Sequence, residues 1–145
     1  MVVMTNNAVI GVKFELYARQ FLKQQGIQAD HNLMYHRGQR RCQVDLESRT
    51  GLIFRKHTIY ECKYVSPSSS PDFIRYFIQL VEAVLFTGAD QGALITNASI
   101  HNKAEKEQRY HIVILDRTDI ACPSLERRIH AMPLPGDSSF IHRYV

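Results

Sequence analysis

Apolar residues recur along the chain in two periods, and the switches between them outline the elements. Over about 7–25, Ile10, Phe14, Tyr17 and Phe21 repeat at helical spacing, which predicts an amphipathic helix ended by Gly26. Leu33, Met34 and Tyr35 form a short strand candidate, and 36–41 reads as a polar, basic connection. Over 42–47, Val44 and Leu46 alternate with Gln43, Asp45 and Glu47, the pattern of a half-buried strand whose polar side meets a cleft or solvent. A turn is expected at 48–51. Strand follows at 52–54 and 58–65, rich in β-branched and aromatic residues, as a hairpin whose far arm carries Glu61 and Lys63. The Ser- and Pro-rich run at 66–71 is a loop.

Asp72 caps a long helix to about residue 87 that is apolar almost all round. Only Asp72, Arg75, Gln79 and Glu82 make a narrow polar ridge, so this helix is expected to be deeply buried or packed on a partner subunit. Gly88 stops it. A short buried strand at 93–96, a polar helix capped by Asn97 or Ser99 and running to about Arg109, and a buried strand at 110–116 form a βαβ unit, hence a parallel pair. Beyond 117 the signal weakens, because Pro123, Pro133 and Pro135 leave room only for a short helix at 124–130. Hairpin strands pair antiparallel and crossovers pair parallel, so the expectation is an α/β fold with a mixed central sheet flanked by helices. We expect one domain over 1–145, with a core at about 8–117 and a C-terminal extension at about 118–145.

Composition narrows the class. The chain has 145 residues, 45% of them hydrophobic, which suits one globular core and argues against disorder. No apolar run approaches the roughly 18 residues of a membrane span. Lys and Arg number 18 against 14 Asp and Glu, a net charge of +4 that permits a nucleic-acid partner without requiring one. Three cysteines with no CxxC spacing resemble neither a disulfide framework nor a zinc site, and the N-terminus has no signal or transit pattern. A reducing, cytoplasmic location is expected.

The candidate chemistry lies on the hairpin. Positions i and i+2 of a strand share a face, so Glu61 and Lys63 point together, away from Tyr60, Cys62 and Tyr64. In the right register, Asp45 on the preceding arm becomes a neighbour of Glu61. Two carboxylates with a carbonyl and waters suit a hard divalent cation such as Mg²⁺. The blander reading is a same-face ion pair on an exposed strand, and Glu47 is the second choice for the acidic ligand. Cys62 reads as core, and the seven His form no metal-ligand spacing. Arg37, Arg40 and Arg41 make the densest basic run and are candidates for phosphate contact, with Lys103 and Lys106 weaker ones. Gln79 is read as a ridge residue.

Asp45 followed by Glu61-x-Lys63 on the next strand resembles the PD-(D/E)xK nuclease superfamily, and within it the Mrr-like restriction endonucleases. The likeness covers about 9–117 and includes Gly11-Val-Lys-Phe14-Glu15 on the first helix, Gly92-Ala-Leu-Ile-Thr96, the polar helix from Ile100, and the apolar strand ending in Asp116. It implies a restriction-endonuclease-like core and a metal-dependent endonuclease of the restriction or repair type. Asp45, Glu61 and the backbone carbonyl of Cys62 would hold Mg²⁺, with Mn²⁺ as substitute. Lys63 would be the catalytic lysine and Glu15 the supporting helix carboxylate. DNA is then the expected partner. A homodimer through the helix at 72–87, and a separate target-recognition protein, complete the expectation. Two alternatives remain: a non-catalytic DNA-binding module, since no Gly-rich turn precedes Asp45, and a nuclease for RNA or for branched or damaged DNA.

Overall fold

The computed structural model describes residues 6–50 and 55–134. The expected turn residue Gly51, the strand at 52–54 and Pro135 lie outside the described residues. The elements in chain order are α1 (Asn6–Gln24), β1 (Ala29–Arg37), β2 (Arg40–Thr50), β3 (Lys56–Lys63), α2 (Phe73–Thr87), β4 (Gln91–Thr96), α3 (Lys103–Tyr110), β5 (Val113–Leu115), α4 (Arg117–Ile120) and α5 (Leu125–His130). The five strands form one sheet in sequence order. β1, β2 and β3 pair antiparallel, whereas β3, β4 and β5 pair parallel. This is the expected mixed sheet with flanking helices.

Two apolar layers hold the sheet. On one face Phe14, Ala18 and Leu22 of α1 meet Leu46, Tyr60 and Ile95, and Ile120, Leu125 and Ile129 from the last two helices close the same layer. On the other face Phe77 and Leu80 of α2 meet Val44, Ile59, Leu94 and Ile114. β4 therefore reads as an unbroken apolar run because helices cover both its faces. Of the predicted stripe, Phe14 is buried together with Ala18 and Leu22, while Ile10, Tyr17 and Phe21 pack only partly buried at the margin. α2 is well delimited. The Asp72 carboxylate accepts the Ile74 N–H at 3.1 Å, and Gly88 takes the left-handed conformation at φ 73° to close the helix. Among the described residues, no helix is long and apolar enough to cross a membrane.

Several expected boundaries move. β1 extends over Ala29–Arg37, and the basic connection shrinks to a tight turn at Gly38 and Gln39, with Gly38 at φ 59°. Arg37 and Arg40 become a paired position of the hairpin. The turn expected at 48–51 is strand as far as Thr50, because the buried Ser48 hydroxyl is satisfied by the Tyr60 hydroxyl at 2.8 Å. α3 starts at Lys103 rather than near Asn97, and it continues to Tyr110, which leaves β5 only Val113–Leu115. α4 was not expected. Asp116 caps it, accepting from Thr118 N–H, and Asp119 completes a capping box. α2 buries only Phe77 and Leu80, so it is not a deeply buried helix.

Gly92 sets how closely α2 approaches β4. A Cβ there would stand 2.7 Å from Val84 Cγ2 and 2.9 Å from Leu80 Cγ. Gly92→Ala is therefore expected to destabilise the fold by about 1–3 kcal/mol through overpacking. Urea unfolding followed by circular dichroism measures it, and an unchanged midpoint would show that α2 can retreat without loss.

Candidate active site

The site begins where β2 stops behaving as a regular strand. Val44, Asp45 and Leu46 are all buried, although alternation would expose one of them. Val44 packs in the α2 layer and Leu46 in the α1 layer, so the strand changes face at Asp45. Its neighbour changes with it. The β1–β2 ladder skips the pair Asn32 and Asp45, and Asn32 is left-handed at φ 55°. Asp45 consequently does not share one face with both Gln43 and Glu47, as strict alternation had implied.

β2 and β3 pair as far as Leu46 and Tyr60, and one more step sets Asp45 opposite Glu61. The strands have parted there. The Asp45 carboxylate, 3% exposed, fills the gap by accepting the Cys62 N–H at 2.8 Å. The N–H and C=O of one strand residue point the same way, so the Cys62 carbonyl faces the same opening. The Cys62 side chain packs with the α1 layer. Burial, then the charges of Glu15 and Glu61, push its thiol well above the usual range, which suits a core residue and not a nucleophile.

Into this opening project side chains from four elements. A pocket of about 810 Å³ is lined by Glu15 of α1, Asp45 of β2, Glu61 and Lys63 of β3, and Tyr76 and Gln79 of α2. Glu15 lies one helical turn before the buried Ala18 and two before Leu22, and is only 2% exposed. Burial and the negative charge of Glu15 raise the Glu61 carboxyl to about 7, against the opposing pull of Lys63. The Lys63 ammonium sits 4.6 Å from the centre of the Tyr76 ring, whose face attracts a cation. Below the site, Asn97 clamps the chain leaving β3. It accepts the Val65 N–H at 2.7 Å and donates to the Val65 carbonyl at 2.9 Å. Tyr64 meets His130 of α5 edge to face at 6.0 Å, and His130 also lines the pocket.

The structure thus brings Glu15, Asp45, Glu61, Cys62 and Lys63 together. It does not bring the basic candidates to them. Arg37 and Arg40 stand over the Phe86 ring at 5.9 and 5.7 Å, and Arg41 is exposed on the same hairpin. Phe86 follows Tyr76 by ten residues of α2, about 15 Å along the helix. Lys103 is tied to Asp119 at 2.6 Å and to Asp116 at 3.7 Å. Glu47, the second acidic choice, instead accepts from Tyr35 and pairs with His57 at 2.8 Å, outside the pocket. Among the described residues, no three His, Cys, Asp or Glu side chains form a group that could hold a metal. Sequence reasoning missed Tyr76 and His130 and set Gln79 aside. The signal for two of them was present: Tyr76 and Gln79 are three apart on the helix that follows E-x-K, so they share one side of it.

No curated protein matches the chain. Two solved structures share the fold at low identity. Protein AF1548, of unknown function, superposes with a TM-score of 0.60 at 14% identity over 74% of this chain and 58% of that one. Can2 from Sulfobacillus thermosulfidooxidans, solved with cyclic tetra-adenylate, superposes with a TM-score of 0.58 at 17% identity over 83% of this chain. The chain spans only 36% of Can2's length. The MspJI restriction endonuclease, solved with an oligonucleotide, aligns over 92% of this chain at 19% identity with a TM-score of 0.46. The Mrr_cat family model, described as restriction endonuclease, matches residues 7–122, which contain α1 from its second residue, the whole sheet and every acidic residue of the pocket. The chain accordingly belongs to the Mrr-type restriction endonuclease family, whose members are nucleases.

Proposed function

We propose that this nuclease hydrolyses DNA phosphodiester bonds with a divalent cation, Mg²⁺ in the first instance and Mn²⁺ as a substitute. One observation carries the reading: three carboxylates and a lysine from α1, β2 and β3 converge on the pocket where β2 and β3 part. The donor chemistry fits a hard cation. Asp45, Glu61 and the Cys62 carbonyl supply oxygen ligands, and the buried negative charge that lifts Glu61 is what a cation would neutralise. When bound, such an ion supplies Lewis-acid stabilisation of the phosphate. The protein's own residues do the rest. Lys63, steadied on Tyr76, offers a positive charge and hydrogen-bond donors to the phosphate or the attacking water. Glu15 orients that water by hydrogen bonding. Water adds to phosphorus, one P–O ester bond breaks, and the departing oxygen takes up a proton.

Arg37, Arg40 and Arg41 are proposed to hold the DNA backbone away from the pocket, whereas Lys103 would first have to leave its ion pair. A homodimer that presents two pockets, and a separate protein that selects the target, belong to the same proposal. A second reading, a non-catalytic DNA-binding module, rests on the run Arg41-Cys-Gln-Val-Asp45, which has no Gly-rich turn before the acidic residue.

Cleavage of supercoiled plasmid with Mg²⁺, Mn²⁺ or chelator separates the two. Asp45→Asn keeps an acceptor for the Cys62 N–H but removes the charge, so a folded variant is expected to cut at least about 100-fold more slowly, as is Lys63→Ala. Variants as fast as the parent would overturn the assignment. Salt-sensitive binding without cleavage in any metal would favour the second reading.

Glu61 gives an independent check. Folded Glu61 keeps its proton to about 7, whereas the unperturbed group loses it near 4.5, so the native state binds more protons between those values. The stability of the metal-free protein is therefore expected to fall as pH rises through that window. Thermal melts in chelator should show the fall shallower in Glu61→Gln, with the variant more stable than the parent at about pH 8. Parallel curves would remove the case for a crowded acidic site.

A further inference from the structure

α2 carries a second feature on the side turned away from the pocket. Ile74 and Ile78 are each 46% exposed and Leu85 is 72% exposed. With the half-buried Val81 they are spaced four, three and four residues apart, which aligns them in one stripe along the helix. Val81 also touches the core at its inner edge, but core packing does not account for Ile74, Ile78 and Leu85, because α2 meets the sheet side through Phe73, Phe77, Leu80 and Val84. Tyr76 and Gln79 lie on a different side of the helix, so covering the stripe leaves the pocket open.

We propose that this stripe is the seam of a two-fold homodimer in which α2 of a second copy packs antiparallel across it. Two properties of the residues select a second copy as the occupant. First, the spacing reads the same in both directions. A two-fold axis between Gln79 and Leu80 sets Ile74 against the partner's Leu85 and Ile78 against the partner's Val81, so the surface is complementary to itself. Second, the charges agree. Arg75 and Glu82 lie along one border of the stripe, both exposed. Antiparallel packing about a two-fold axis brings like borders together, so Arg75 meets the partner's Glu82, and the exchange occurs twice. A parallel pair would bring that border against the partner's Phe77 and Val84, which already face the core. Burying the exposed parts of three aliphatic side chains per copy supplies the driving force.

The seam deepens the homodimer reading and does not depend on nuclease activity. If the pockets are nuclease sites, the dimer carries two of them on one particle, each on the side of its α2 away from the contact.

Sedimentation equilibrium of the full chain tests the proposal over about 1–100 μM, a range that reports dissociation constants in the micromolar region. The parent is expected to approach twice its 16.8 kDa mass as concentration rises. Leu85→Glu should raise the dissociation constant at least about tenfold, because it places a charge in the apolar seam. Leu85 is mostly exposed, so the thermal melt of that variant should stay near the parent's. Met34→Glu, which alters an exposed apolar residue on β1, should leave the dimer intact. Arg75→Glu should weaken association, and Arg75→Glu with Glu82→Arg should restore it. A monomer at every concentration overturns both the seam and the homodimer. A dimer indifferent to Leu85→Glu, or a double variant no better than Arg75→Glu, overturns this seam and leaves a homodimer through another surface.

Discussion

One hydrogen bond organises the functional half of the molecule: the Asp45 carboxylate accepting the Cys62 N–H where β2 and β3 separate. A buried carboxylate is costly unless it is bonded, and a strand N–H without a ladder partner is costly for the same reason. Each group satisfies the other. The strands can then part without leaving either exposed to an apolar interior, and the parting is what creates the pocket. The change of face at Asp45, and the left-handed Asn32 beside it, follow from the same requirement, because β2 must serve the α2 layer before that point and the α1 layer after it.

The remaining elements fix the walls of the opening. Gly92 lets α2 lie close on β4, which carries Tyr76 and Gln79 to the rim. Asn97 takes the place of a strand partner for Val65, so the chain leaving Lys63 is held in position beyond the end of β3. α5 returns to α1, where the Lys13 ammonium bonds the His130 carbonyl at 2.7 Å. Asp116, at the end of β5, bonds the Ile100 N–H at 2.9 Å and caps α4. Burial opposes its ionisation, but that bond, those from Thr118 and the Lys103 charge outweigh it and hold its carboxyl below the usual range. Lys103 is thus held within the scaffold by Asp116 and Asp119.

Most of the fold was legible because long elements repeat their own signal. α1, β2, β3, α2 and β4 each carry several residues in the period of their class, and Gly26, Asp72 and Gly88 mark ends that the backbone uses as expected. The misread boundaries share a cause. Ser48 looked like a turn residue and Asn97 like a helix cap, since each has a small polar side chain that often bonds local backbone. In the structure each bonds a distant partner, Tyr60 in one case and Val65 in the other. Local propensity cannot register such a bond.

The residue pattern alone carries the order of the elements from α1 to β5, the sharing of a face by Glu61 and Lys63, and the apolar character of α2, because these follow from neighbours along one strand or helix. Which polar residues meet is set by the packing of the whole chain. Glu15, Asp45 and Tyr76 are separated by tens of residues, and their convergence depends on the twist of a strand and the approach of two helices. Arg37, Arg40 and Arg41 looked adjacent to Asp45, yet the hairpin carries Arg37 and Arg40 toward Phe86 and leaves Arg41 exposed. α2 was read as apolar almost all round, with one narrow polar ridge, but which side faces the sheet is set by where β4 lies. That choice buries Phe77 and Leu80 and leaves Ile74, Ile78 and Leu85 in solvent.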